Sequence, residues 1–166
     1  MQMTQRVKDI LSWYESDTPG TKASIARFLM HGKLAGSGKM IVYPVDQGFE
    51  HGPARSFAMN PAAYDPQYHF QLAVDAGCSG YASVLGMLEA GADTFAGQIP
   101  LVLKMNSSNS LYPGGEEYQP FQAVTASVDD ALRLGCSAIG FPIYPGSGDS
   151  FAMFEQIRDL IAEAKA

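Results

Sequence analysis

One pattern constrains this chain more than any other. From residue 40 onward, a short apolar run, a polar loop and an amphipathic stretch recur in that order four times. The apolar runs occupy residues 40–45, 80–85, 99–105 and 137–144. Short, evenly apolar runs of this kind are what parallel strands show when both faces are covered. Helical patterns fill the intervals, at residues 66–76, 88–96, 127–134 and about 149–165. In the first of these, Phe70, Leu72, Ala73 and Ala76 are expected to turn inward. Ser127 and Asp130 have the spacing of a capping box. Strand alternating with helix predicts a parallel sheet with covering helices. An internal repeat supports it: LAVDAGCSGYASV (72–84) resembles ALRLGCSAIGFPI (131–143), with Gly-Cys-Ser where a helix ends and a strand begins. Cys78 and Cys136 are then small residues buried at strand entrances.

Ahead of the repeat lies a helical lead. Residues 3–16 put Val7, Ile10, Leu11 and Tyr14 on one helical face. Asp17-Thr18-Pro19-Gly20 reads as a turn, and a second helix is expected from about Lys22 to His31, ended by Gly32. The expected division is a helical extension over 1–36 and a strand–helix domain over 37–166.

Composition excludes several partners. The net charge is −6 and the 11 Lys and Arg form no basic run, which argues against nucleic acid and anionic membrane surfaces. No apolar run is long enough for a membrane span, and the first residues lack the apolar core of a signal peptide. Two cysteines outside any CxxC pair fit reduced thiols, so a cytoplasmic location is expected.

Parallel strand–helix chains form open doubly wound sheets or closed eight-strand barrels. The first strand is followed by DQGFEHGP rather than GxGxxG, which removes the dinucleotide-binding reading. Polar residues instead stand where several different strands end, as barrel active sites require: Asp46, Lys104, Asn106 and Tyr144. The expected fold is therefore α/β, the first four βα units of a (β/α)8 TIM barrel after two helices. A full barrel needs roughly 250 residues, so these strands are too few to close one.

Each polar group has two readings. Asp46 is a substrate-orienting carboxylate or base, or a loop cap. Lys104 is the only charge inside an apolar strand; it either works, or snorkels to the barrel mouth or pairs with Asp46. Tyr144 is an acid or base at the mouth, or an ordinary half-buried tyrosine. His51, in a glycine-flanked loop, is a hydrogen-bonding loop residue or a site residue. His31, His51 and His69 lack metal-ligand spacing, and no cofactor motif is present. Pro145-Gly146-Ser147-Gly148 before a helix is an anion cradle or a plain turn.

YPVDQGFEHGP (43–53), IPLVLKMN (99–106) and IGFPIYPGS (139–147), with FAMNPAAYDPQYHFQLAVDAGC (57–78), resemble the class I fructose-bisphosphate aldolases of the archaeal and bacterial DhnA-type group. The resemblance runs from about residue 34 to 166. It implies a cofactor-free Schiff-base aldolase of glycolysis and gluconeogenesis. A lysine amine condenses with a phosphorylated ketose, and the iminium draws electrons from the breaking C3–C4 bond. On this chain the resemblance implies catalytic roles for Asp46, which positions and processes the Schiff base, and Tyr144, the acid/base at the C4 hydroxyl. It implies substrate contacts for Gln47, His51, Lys104 and Asn106. The family's imine-forming lysine and its phosphate loops are expected beyond residue 166, so the chain alone is expected to be inactive. The implied partner is a sugar phosphate; the two open parallel edges of four strands are expected to mean, first, a fragment of a longer product, and otherwise pairing with a C-terminal half-barrel or self-association. A related phospho-ketose synthase or thiolase, or a non-catalytic half-barrel assembly subunit, are the competing readings.

Overall fold

The structure, a computed structural model, describes residues 2–111 and 122–166. Two helices lead, α1 (Gln5–Ser12) and α2 (Pro19–Leu29). Thr4 caps the first, accepting from the Val7 N–H. The second half of the expected turn at residues 17–20 is instead the start of α2, at Pro19. Thr18 accepts from the Thr21 N–H, and Pro19 takes the first helical position, where its missing N–H costs nothing. Val7, Ile10 and Leu29 form a small core between these helices, separate from the main one. At Gly32, with φ of 74°, the chain presses against the end of a later helix, and a Cβ there would run into the carbonyl oxygens of Gly77 and Cys78.

Next come β1 (Val42–Val45), the short helices α3 (Gln47–Glu50) and α4 (Pro53–Phe57), and a 3-10 turn at Pro61–Tyr64. Residues 46–65, expected as loop and irregular chain, are thus largely helical, with Pro53 and Pro61 opening a turn each. Then follow α5 (Pro66–Ala76), β2 (Gly80–Ser83), α6 (Leu85–Glu89), β3 (Leu101–Lys104), β4 (Asn106–Ser107), β5 (Ala123–Val124), α7 (Val128–Arg133), β6 (Ala138–Gly140) and α8 (Ser150–Lys165). β1, β2, β3 and β6 form one parallel sheet in that order, while β4 and β5 make a small antiparallel ribbon. The expected loop over 106–126 therefore contains a ribbon; its residues 112–121 lie outside the described residues. The capping box at Ser127 and Asp130 is formed.

Register sorts the strand residues onto two faces. Pro44, Ala82, Val102 and Ala138 lie level across the sheet on one face. Val45, Ser83, Leu103 and Ile139 lie level on the other. The second face carries the main core, where Tyr81 packs on Phe70 at 4.6 Å between ring centres and Phe70 stacks on Phe95 at 5.1 Å. In α5, Phe70 and Ala73 point inward as expected, but Leu72 and Ala76 are exposed, because the helix touches the sheet along a narrow stripe. Cys78 is buried at the entrance of β2; Cys136 is only half-buried, at the sheet's edge.

Candidate functional site

The C-terminal ends of β1 and β3 bring three charged side chains together. Lys104, the last residue of β3, lies on the same face as Val102, with Gly140 as its neighbour on β6. Asp46 follows β1 directly, and α3 then turns the chain across the strand ends so that Glu50 faces the same lysine. Lys104 Nζ donates to Asp46 Oδ2 at 2.6 Å and also to Glu50 Oε1. The Lys104 and Glu50 side chains are each 11% exposed, and Asp46 is 28% exposed. Burial works against the ammonium. The hydrogen bonds and negative charges of Asp46 and Glu50 outweigh it and hold the Lys104 pKa above the usual lysine value.

This group opens on a cavity of about 340 Å³ lined by Pro44, Asp46, Ala82, Val102, Lys104 and Pro142 among others. Glu50 is not in its lining; it sits behind the lysine. The Glu50 carboxylate also accepts from the Ser108 N–H at 3.3 Å, and its peptide oxygen accepts from the Ser110 N–H and hydroxyl at 2.8 and 3.0 Å. Glu50 was missed from sequence because a carboxylate inside DQGFEHGP has no fixed direction until α3 forms.

The other expected site residues are placed unequally. His51 Nδ1 pairs with the Ser110 hydroxyl at 2.7 Å, so it joins the group through the same loop. Asn106 is fully buried; its amide N–H donates to the Pro142 carbonyl at 2.9 Å and ties the end of β3 to the chain after β6. Its Oδ1 has no partner among the described residues. Gln47 is exposed, and its side-chain oxygen accepts from the Asp46 N–H at 3.0 Å rather than reaching the cavity. Tyr144 was expected to end a strand, but β6 stops at Gly140 because Pro142 offers no N–H to a ladder. Tyr144 therefore lies on the following turn, 38% exposed, outside the cavity lining. In Pro145-Gly146-Ser147-Gly148, the Ser147 N–H and hydroxyl both donate to the Tyr144 carbonyl, so part of the cradle is already engaged.

His69 is a buried structural residue held by the Tyr43 hydroxyl and the Ala63 carbonyl. Among the described residues, no group of three or more His, Cys, Asp or Glu is arranged to hold a metal ion. No described helix is long and apolar enough to cross a membrane.

Comparison with known proteins adds the family context. Residues 40–166 match the DeoC/LacD family aldolase. The class 1 fructose-bisphosphate aldolase of Thermoproteus tenax is 42% identical over 131 residues, covering 79% of this chain and 47% of that protein. A solved archaeal fructose-1,6-bisphosphate aldolase, with its catalytic lysine covalently bound to the carbinolamine intermediate of the substrate, is 40% identical. It superimposes with a TM-score of 0.69 over 83% of this chain and 51% of that one. A fructose-bisphosphate aldolase from Slackia heliotrinireducens, 18% identical, matches in fold with a TM-score of 0.73 over 99% of this chain and 50% of its own. The chain thus spans about half the length of the relatives it matches. Its fold is that of roughly the first four βα units of a (β/α)8 barrel.

Proposed function

Because the chain belongs to the DeoC/LacD family of aldolases, we propose that it serves a class I, Schiff-base aldolase. The proposed reaction is reversible cleavage of fructose 1,6-bisphosphate to dihydroxyacetone phosphate and glyceraldehyde 3-phosphate, within glycolysis and gluconeogenesis in the cytoplasm. One observation carries the reading: a lysine held between two carboxylates at the strand ends, where barrel active sites form, beside an open cavity.

The same observation divides the labour. An imine-forming amine must be neutral when it attacks the ketose carbonyl. Lys104 is the wrong amine, because Asp46 and Glu50 hold it as an ammonium. We assign the nucleophile to the half of the relatives that this chain does not span. Lys104 is left as a fixed positive charge for an anionic substrate oxygen. Asp46, which lines the cavity, is the group we assign to proton exchange with the Schiff base. His51 and Asn106 hold the surrounding loops, and Gln47 orients Asp46 through its backbone. Tyr144 is assigned the C4 hydroxyl on the family resemblance alone, since no contact joins it to Asp46 or Lys104 among the described residues.

A C-terminal half-barrel, which brings the nucleophile, completes the barrel in this reading, and a second copy is the partner in a homo-oligomer. Supporting it are the outer edges of β1 and β6, unpaired among the described residues, and the exposed Phe151, Phe154 and Ile161 of α8. Residues 1–36, with their own small core, act as a separate helical extension to the half-barrel over 37–166.

Borohydride reduction with dihydroxyacetone phosphate, read by mass spectrometry, tests the proposal. This chain alone is expected to gain no mass, and a barrel completed with a C-terminal half is expected to gain one substrate adduct, outside residues 1–166. An adduct on Lys104 would overturn the division of labour; no adduct on the completed barrel would overturn the aldolase reading. In the completed barrel, Tyr144→Phe is expected to slow C–C cleavage far more than imine formation, and equal loss of both would remove Tyr144 from the mechanism.

A further inference from the structure

Two carboxylates share one ammonium at the strand ends, and they are not equivalent. Glu50 is the more deeply buried, at 11% exposure against 28% for Asp46, and stands outside the cavity lining. Both its carboxylate and its peptide oxygen are engaged by the chain after β4, through Ser108 and Ser110. Asp46 instead faces the cavity, and among the described residues its carboxylate has only Lys104 as a charged partner.

We propose that Glu50 is a positioning residue: it is the standing counter-ion of Lys104, so that Asp46 can release its share of the ammonium and exchange a proton with substrate. The physical reason is the cost of an unpaired charge in a partly desolvated place. With a single carboxylate beside it, Lys104 would lose its only counter-ion whenever Asp46 became protonated. With two, the group passes from a net charge of −1 to 0 and the lysine stays paired throughout. Glu50 suits the standing role because α3 and the Ser108–Ser110 loop fix it in place. The charged groups around Lys104 come from the end of β1 (Asp46) and from α3 (Glu50), and His51 is joined to them through Ser110. The catalytic half of this inference rests on the aldolase reading; the charge-sharing half does not.

The test therefore has two arms. In the first, the Lys104 side chain of this chain is titrated by NMR in wild type, Glu50→Gln and Glu50→Asp. Glu50→Gln keeps shape and hydrogen bonds but removes the charge, so the Lys104 titration is expected to move to lower pH. Glu50→Asp is expected to restore part of the shift. An unmoved titration in Glu50→Gln overturns the proposal, since a purely structural glutamate would give that result. In the second arm, the completed barrel carrying Glu50→Gln is assayed for cleavage against pH. The expected result is a fall in kcat of roughly tenfold to a hundredfold with KM little changed, and an alkaline limb moved toward lower pH. A loss confined to KM, or an unmoved limb, counts against the positioning role. If the Lys104 titration moves but borohydride traps no adduct on the completed barrel, the aldolase reading falls and the charge sharing stands. If trapping succeeds and the titration does not move, the role of Glu50 falls alone.

Discussion

The two faces of the four-stranded sheet are built from alternate residues of the same strands, yet they differ in every physical respect. One face presents Tyr81, Leu101, Val45 and Leu103 to the helices, and its side chains are buried. The other presents Pro44, Ala82, Val102 and Ala138, which remain partly accessible. The first face holds the fold together by apolar burial and aromatic packing. The second contributes little to that and is free to carry charge, which is where Lys104 stands. A strand's period of two thus lets one sequence carry apolar packing on one face and charge on the other.

The sharpest way to break this comparison is to make neighbouring truncations on one strand. Leu103 is 0% exposed in the main core, and Leu103→Ala is expected to cost about 3 kcal/mol in urea unfolding. Val102→Ala, on the other face, is expected to cost about 1 kcal/mol or less, because Val102 lines an open cavity and little contact is lost. Equal costs would mean that something covers the cavity face in solution.

Much of this arrangement was legible in the sequence, and what was missed has a common cause. The four sheet strands were readable because each is a short apolar run between glycine or proline breaks, and the Gly-Cys-Ser step marks two helix-to-strand turns at residues 77–79 and 135–137. Asp46 and Lys104 stood out in the sequence as candidate site residues because each is a charge at the end of an apolar strand. Their pairing with each other was one form of the bland reading of Lys104, the other being snorkelling to the barrel mouth, and the structure forms it at 2.6 Å. Glu50 was not readable. Its direction depends on α3, a single helical turn with no amphipathic pattern to announce it. The ribbon of β4 and β5 has two residues per strand, below any length at which alternation can be seen. Tyr144 was placed at a strand end because the apolar run continues to it, whereas Pro142 ends the ladder earlier.

Lys104→Met is expected to fall between the two truncations in size. The variant leaves Asp46 and Glu50 facing each other without the cation, and a broken buried pair typically costs several kcal/mol. Here the cavity admits water to Asp46 and screens the repulsion, so the expected loss is about 2 kcal/mol in the same unfolding assay. A gain in stability would sharpen the contrast further. It would mean that this face tolerates an apolar side chain well and that the lysine is kept for its charge alone.

The smallest expected effect is a pH dependence, and its sign follows from the direction of the Lys104 shift. Burial alone would lower the pKa; Asp46 and Glu50 reverse that and raise it above the value the unfolded chain would show. The native state therefore holds the proton more tightly than the unfolded state does. The resulting stabilisation is complete below the ordinary lysine pKa of about 10.4 and is lost as pH rises through the higher native value. Burial also pushes Cys136 up to about 11 and Tyr81 up to about 12, and both act in the same direction. Those two contributions are common to wild type and Lys104→Met, so subtracting one unfolding profile from the other isolates the lysine. The difference between the two proteins is expected to be constant from neutral pH to about 9. Above pH 10 it should shrink by less than about 1 kcal/mol, since the side chain's cavity side is open to water. A difference that grows with pH would require that Lys104 give up its proton more readily in the native state, and the charge pairing at the strand ends would then be the wrong description of that face.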